Sequence, residues 1–440
     1  MMHIARSLPP QVTRDALKFF DAEILKLFMK TLGIEDEASS KNRALRTITG
    51  LPIASGGFGI TALAPIADIC YLCGLLNISE ASVRGGRSKL QVDRAKLSSV
   101  YTTVTRKLGA VPDQFPKPAE VEELGADAFL GTKRKIRLSM FQHRLSHVHH
   151  DRILQDWIRG EKRNSRAEAQ WFKAMTGKLN SAWMRVFSLP DETARHAARY
   201  RLRLPPDLDP DFKVNKKCLC GKTWDELQFK DLESPSSSKM AWKRLSLWHH
   251  LDCRNNADWI TRHSRSLDEI SLSLRTALIE PIREPQLESG VPNGLRGDIS
   301  LKLGLKPHNI MDLSIVNPLS VSRNIPRHST AINHLDYAEK AKRKKYRSIF
   351  QNNRDKTFTP FIISVSGAYG QSVVEWLTRV GQFIDSTRSW ITSSEWKQRL
   401  VRNLAKVIHE ENWLMLLKGF RRVSTQRLNN TKARVDALRV

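Results

Sequence analysis

The sequence predicts an α+β protein, mostly helical, and three observations carry that prediction. Apolar residues recur at helical spacing through both ends of the chain. Between them, from Lys217 to Gly370, short runs alternate with period two. Proline and glycine clusters punctuate the changes of pattern. With 440 residues, 40% of them hydrophobic, and 11 Trp, the chain is long enough to bury sizeable cores. The expected organisation is a helical region over 1–90, a helical basic region over 91–210, a mixed α/β domain over 211–375 and a helical basic tail over 376–440.

The first helix is announced by Thr13 as a cap, with Asp15 in the first turn. Leu17, Phe20, Ile24 and Leu27 then repeat at helical steps until Gly33. A glycine turn follows at Gly56-Gly57-Phe58-Gly59. It lacks the Lys-Ser/Thr of a phosphate loop and reads as a structural bend. The most apolar run, Gly59 to Leu76, carries Pro65 and Asp68, which makes it a buried helix and too interrupted for a membrane span. Cys70 and Cys73 fall inside that helix and read as buried thiols. From Ser88 to Lys135 the chain is polar with scattered Pro and Gly, the composition of a linker. Helices resume from Ile136 to Phe187. In that stretch His143, His147, His149 and His150, flanked by Arg144 and Arg152, read as a solvated or nucleic-acid-facing surface. Asp191 to Leu204 forms a very basic helix, whose arginines are expected on phosphates, and Pro205-Pro206 closes the region.

Lys and Arg number 72 against 45 Asp and Glu, a formal net charge of +27 spread along most of the chain. A polyanionic partner, nucleic acid foremost, is the natural expectation. The five cysteines are unevenly spaced, which argues against a secreted disulfide framework, and no signal segment opens the sequence. An intracellular protein, nuclear and without a membrane partner, is expected.

Cys218, Cys220, His249 and Cys253 offer three thiolates and an imidazole, a tetrahedral donor set for a structural Zn²⁺. His250 is the alternative imidazole. Gly221 suits the tight turn that a thiolate pair requires. Downstream, alternation over Ile310 to Val316 places Met311, Leu313 and Ile315 on one face and Asp312 with Ser314 on the other. Asp298 precedes a second β-like run, Ile299-Ser300-Leu301. A glycine-containing turn joins the two runs as a hairpin, which brings Asp298 and Asp312 close together. Their repulsion would be relieved by a cation such as Mg²⁺. On the following helix Leu335, Ala338, Lys342, Lys345 and Ile349 form one stripe. Lys342 and Lys345 interrupt its apolar face and need an acidic or phosphate partner. Lys340 and Lys344 point elsewhere. Two acids and a lysine are what a metal-dependent phosphodiesterase needs.

In these residues the chain resembles the C-terminal part of non-LTR retrotransposon proteins that carry a restriction-like endonuclease. The resemblance rests on the Cys/His cluster, Arg262-His263, Glu284-Pro285, Asp298, Asp312 within an Asp-hydrophobic-x-x-Val pattern, Asn317-Pro318, Lys345-Tyr346 and Pro360-Phe361 before Gly367. Pro9-Pro10 through Asp21 and the glycine turn look like the thumb that follows a reverse transcriptase palm. Trp183 to Pro205 resembles the linker between thumb and nuclease. The resemblance implies a PD-(D/E)xK nuclease fold, with Asp298 and Asp312 holding catalytic Mg²⁺, Lys342 as a lysine moved onto the helix, and Glu284 assisting. The implied reaction is strand nicking of DNA, with element RNA and a separate reverse transcriptase as further partners. Two departures stand out. Gly297 replaces the proline expected before the first acid, which should loosen the backbone that aims Asp298. No Asp-Asp pair occurs in the chain, so polymerisation by it alone is not expected. The rival reading is a catalytically dead, zinc-containing nucleic-acid-binding protein, which would show as acids too far apart to share a cation.

Overall fold

The computed structural model describes residues 2–34, 43–85, 92–109, 115–124, 126–130, 138–164, 182–184, 189–202, 246–251, 255–287, 295–304, 307–317, 334–351, 355–387 and 389–437, with single residues 175, 204 and 253. Cys218 and Cys220 lie outside these residues, as does the side chain of His249. The chain divides into two compact units, Met1–Gly160 and Glu161–Val440. It is mostly helical, with one small mixed sheet. No described helix is long and apolar enough to cross a membrane.

The first unit is helical: α1 (Met2–Ser7), α2 (Pro10–Thr31), α3 (Arg43–Gly50), α4 (Ala67–Gly85), α5 (Arg94–Leu108), α6 (Pro118–Leu124), α7 (Asp127–Leu130) and most of α8 (Leu138–Asn164). The apolar run forms its centre as expected, although the helix itself starts only at Ala67. Cys70, Leu72, Tyr101, Phe141 and Leu145 share one core. Burial pushes the Cys70 thiol up to about 11 and the Cys73 thiol higher still, so both stay protonated and inert. A Cβ on Gly74 would lie 2.0 Å from the Arg6 carbonyl oxygen, so glycine is what lets α1 press against α4. The glycine turn is structural: Gly56 and Gly59 hold φ of 88° and 72°, and a Cβ on Gly57 would lie 2.0 Å from the Leu51 oxygen.

Within the linker expected over Ser88 to Lys135, the residues of α5 instead form a packed helix. Leu97, Tyr101, Val104 and Leu108 of α5 are buried at helical spacing in the same core as α4. Asp93 caps α5 through the Ala95 N–H at 2.9 Å, and Gly109 ends it at φ 74°. The apolar stripe is only four residues wide among many polar ones, which hid it from composition.

In the second unit α9 (Asp191–Arg201) and α10 (Asp258–Thr276) precede β1 (Ile282–Arg283), β2 (Ile299–Leu301) and β3 (His308–Val316). Then come α11 (His334–Gln351), β4 (Lys356–Ser364), α12 (Gln371–Ser386) and α13 (Ser393–Ala437). The sheet runs β1-β2-β3-β4. The first two pairings are antiparallel and the third is parallel, so α11 lies on the crossover that parallel strands require. The expected tail is not separate: α12 spans the boundary at residue 376, and Trp396 of α13 donates to the Ser273 oxygen at 2.9 Å from a fully buried position. Arg262 of α10 likewise donates to Asn412 of α13 at 2.6 Å.

The arginines of α9 also depart from expectation. Arg199 and Arg201 are buried, and burial lowers the Arg201 guanidinium to about 10. His196 stacks on Trp413 at 3.8 Å between ring centroids, so the side of this helix that carries Arg199 and Arg201 is part of the core and not a phosphate-binding face. Charge counts along a sequence do not reveal which face of a helix is inward.

Candidate active site

The β2–β3 hairpin forms as its alternation predicts. Ile299 pairs with Met311 and Ser300 with Ile310, and Gly304 takes φ 62° in the connecting turn. Asp298 immediately precedes β2 and Asp312 stands on β3 next to Met311, the partner of Ile299. The Asp298 N–H donates to the Met311 oxygen at 2.9 Å, and its carbonyl accepts from Glu284 N at 3.0 Å. The Asp298 carboxylate reaches the N–H of Leu313, the residue after Asp312, which sets the two acids side by side at this end of the hairpin.

Each acid has its own partner. Asp298 Oδ2 accepts from the Leu313 N–H at 2.5 Å and lies 3.3 Å from His263 Nε2 on α10. Lys342 Nζ donates to Asp312 Oδ2 at 2.6 Å from α11. Burial raises both acids, with different outcomes. At Asp298 it is outweighed by His263 and the Leu313 N–H, which hold the carboxyl below its usual value. At Asp312 burial prevails over Lys342, reinforced by the charge of Asp298, and pushes the carboxyl up. The two carboxyls thus shift in opposite directions, because burial is outweighed at Asp298 and prevails at Asp312.

Tyr346, one turn beyond Lys342, completes the floor. It is 1% exposed, donates to the Arg296 oxygen at 3.1 Å and has its phenol raised by burial and by the charge of Asp312. Lys345 is exposed, 4.7 Å above the Tyr346 ring and 3.2 Å from its hydroxyl. Lys340 and Lys344 are exposed as expected.

Two further candidates stand elsewhere. Glu284 joins the site through its backbone, while its exposed carboxylate pairs with Arg296 at 3.7 Å. Gly297 is held, not loose. Its N–H donates to the Pro285 oxygen at 3.2 Å, and a Cβ there would meet Ile310 Cγ2 at 2.4 Å. Glycine allows the Pro285 segment, β2 and β3 to close together.

His263 was legible only as half of an Arg-His pair. Successive helix positions point about 100° apart, which sends Arg262 inward to Asn412 and the Leu251 oxygen and His263 to Asp298. Tyr346 was missed because the stripe was drawn through Lys345. The steps Leu335, Glu339, Lys342, Tyr346 are equally helical and include the buried residues.

Of the proposed zinc donors, Cys253 is buried, and so is the alternative His250, whose ring packs against Gly419. Among the described residues no three His, Cys, Asp or Glu side chains group as a metal site. The acid pair nevertheless has the oxygen donors that Mg²⁺ takes, one or two carboxylates with the rest from water or phosphate. No model of a known protein family matches the chain, and no curated protein matches it either.

Proposed function

We propose that the second unit is a Mg²⁺-dependent endonuclease that nicks DNA, retroelement-derived and without a polymerase palm of its own. The observation that carries this reading is the Asp298 carboxylate on the Leu313 N–H beside Asp312, with Lys342 reaching Asp312 from α11 at 2.6 Å. Asp298 and Asp312 would hold the cation, which when bound supplies Lewis-acid polarisation of the scissile phosphate. Lys342 orients the attacking water and offsets charge developing on the phosphate. His263 and the Leu313 N–H keep Asp298 ionised and aimed. Glu284 would assist from the rim of the site, where its exposed carboxylate pairs with Arg296 at 3.7 Å. The net charge of +27 supports a nucleic-acid partner, and action on DNA would place the protein in the nucleus.

The rival, a dead zinc-containing binding protein, required acids too far apart to share a cation. The bond from the Leu313 N–H, next to Asp312, to the Asp298 carboxylate weighs against it. The zinc cluster remains part of the proposal. A separate reverse transcriptase as partner draws support from the first unit, where Val12 and Phe19 are each 71% exposed and Leu27 64% exposed on α2.

The test is direct. Purified protein is incubated with supercoiled plasmid and Mg²⁺ or Mn²⁺, and nicked circles are expected. Binding without any cleavage under either cation would favour the rival.

A further inference from the structure

The histidines of α8 differ in exposure. Phe141 and Leu145 are buried in the core of the first unit, and further along the helix His150 and Leu154 are buried too, His150 being 7% exposed. His143 and His147 stand one turn apart, both exposed, with ring centroids 6.4 Å apart. One further turn along the same stripe, Asp151 Oδ2 lies 2.7 Å from His147 Nδ1. The His147 and Asp151 side chains are 56% and 49% exposed.

We infer that His143 and His147 form a surface chelate for a divalent transition cation, with Asp151 as the group that orients His147. Residues four apart on a helix are neighbours, so two imidazoles at this spacing close on one ion with little ordering cost. The Asp151 carboxylate fixes a proton on His147 Nδ1 and leaves Nε2 as the donor, the carboxylate–histidine–metal arrangement that raises imidazole basicity. A cation held at about 2.0–2.1 Å from each nitrogen brings the ring centroids to about 5 Å. That requires a shift of roughly an ångström, which exposed side chains make by small rotations. Imidazole donors select Zn²⁺, Ni²⁺ or Cu²⁺ over Mg²⁺, so this site is chemically separate from the acid pair. Water fills the remaining positions. The helix ladder, and not a loop, sets the geometry, so the site forms whenever α8 is folded.

The test uses the untagged full-length chain on an immobilised Ni²⁺ resin, eluted with an imidazole gradient. The parent is expected to be retained. His143→Gln and His147→Gln should each elute at several-fold lower imidazole, because a chelate needs both rings. Asp151→Asn should lie between, in keeping with the roughly 10–100-fold loss of affinity when an orienting carboxylate is removed. His3→Gln, an exposed histidine on α1, should elute with the parent and controls for scattered imidazoles. All four positions are surface ones, and circular dichroism verifies that α8 remains helical. As a second readout, substoichiometric Cu²⁺ should give an electron paramagnetic resonance spectrum with two coupled imidazole nitrogens. That signature should be lost in the His143→Gln/His147→Gln chain. A parent that is not retained, or a double variant that elutes with the parent and keeps the two-nitrogen spectrum, overturns the proposal.

Discussion

Lys342 and Lys340 sit two residues apart on α11 and meet different surroundings. Lys342 is half-buried and bonded to Asp312 at 2.6 Å, while Lys340 is exposed. Lys342→Ala should therefore slow nicking by about 100-fold, the scale of losing one charge-stabilising donor. Lys340→Ala should leave it near the parental rate; equal effects in a single-turnover assay would mean that general positive charge is what matters. Gly297 gives a second contrast. Restoring the proline expected there from the resemblance removes the donor to Pro285 and drives a Cβ into Ile310. Gly297→Pro should cost about 1–3 kcal/mol through overpacking and reduce nicking. A denaturation midpoint at or above the parent's would contradict the close packing described.

At the scale of elements, the hairpin was legible because a period of two fixes which side chains share a face, and Gly304 marks its turn. That alternation is enough to bring Asp298 to the end of the hairpin where Asp312 stands. The helix after it was legible in type but not in facing, since a stripe through Lys345 and one through Tyr346 differ by a single residue. Only contact with β3 and β4 decides between them. Tyr346→Phe keeps the ring packing on Phe358 and removes the bond to Arg296. It should cost about 1 kcal/mol in denaturant unfolding and slow nicking by loosening α11 over the acids. No change in either would show that the hydroxyl is incidental. The α5 and α9 corrections have the same origin. Composition reported a polar linker and a basic face, whereas four buried apolar residues in α5 and the inward arginines of α9 follow from tertiary packing that no local pattern encodes.

Across the whole molecule two bulk properties follow. The charge of +27 predicts nucleic-acid binding that weakens steeply from about 50 to 200 mM salt through counterion release; a flat dependence would assign the charge another purpose. The second is an acid limb in stability. Burial pushes His196 and His409 down to about 3, below the ordinary value of 6.5 that unfolded histidines keep. The unfolded chain therefore binds more protons between these values. The stabilising contribution is full above about 6.5 and lost as pH falls toward 3. Thermal unfolding from pH 7 to 4 should show a falling midpoint, with a shallower fall in His409→Gln; parallel curves would locate the acid sensitivity elsewhere.

In the proposed nuclease Asp298 and Asp312 act together on a phosphodiester, apart from the basic surfaces that hold nucleic acid. The most direct measurement follows supercoiled-plasmid nicking with Mg²⁺, alongside DNA affinity in the same buffer, for the parent and for Asp298→Ala and Asp312→Ala. Either substitution should abolish nicking while affinity stays the same or tightens, because an anion facing phosphate has been removed. Variants that cleave as well as the parent would contradict it.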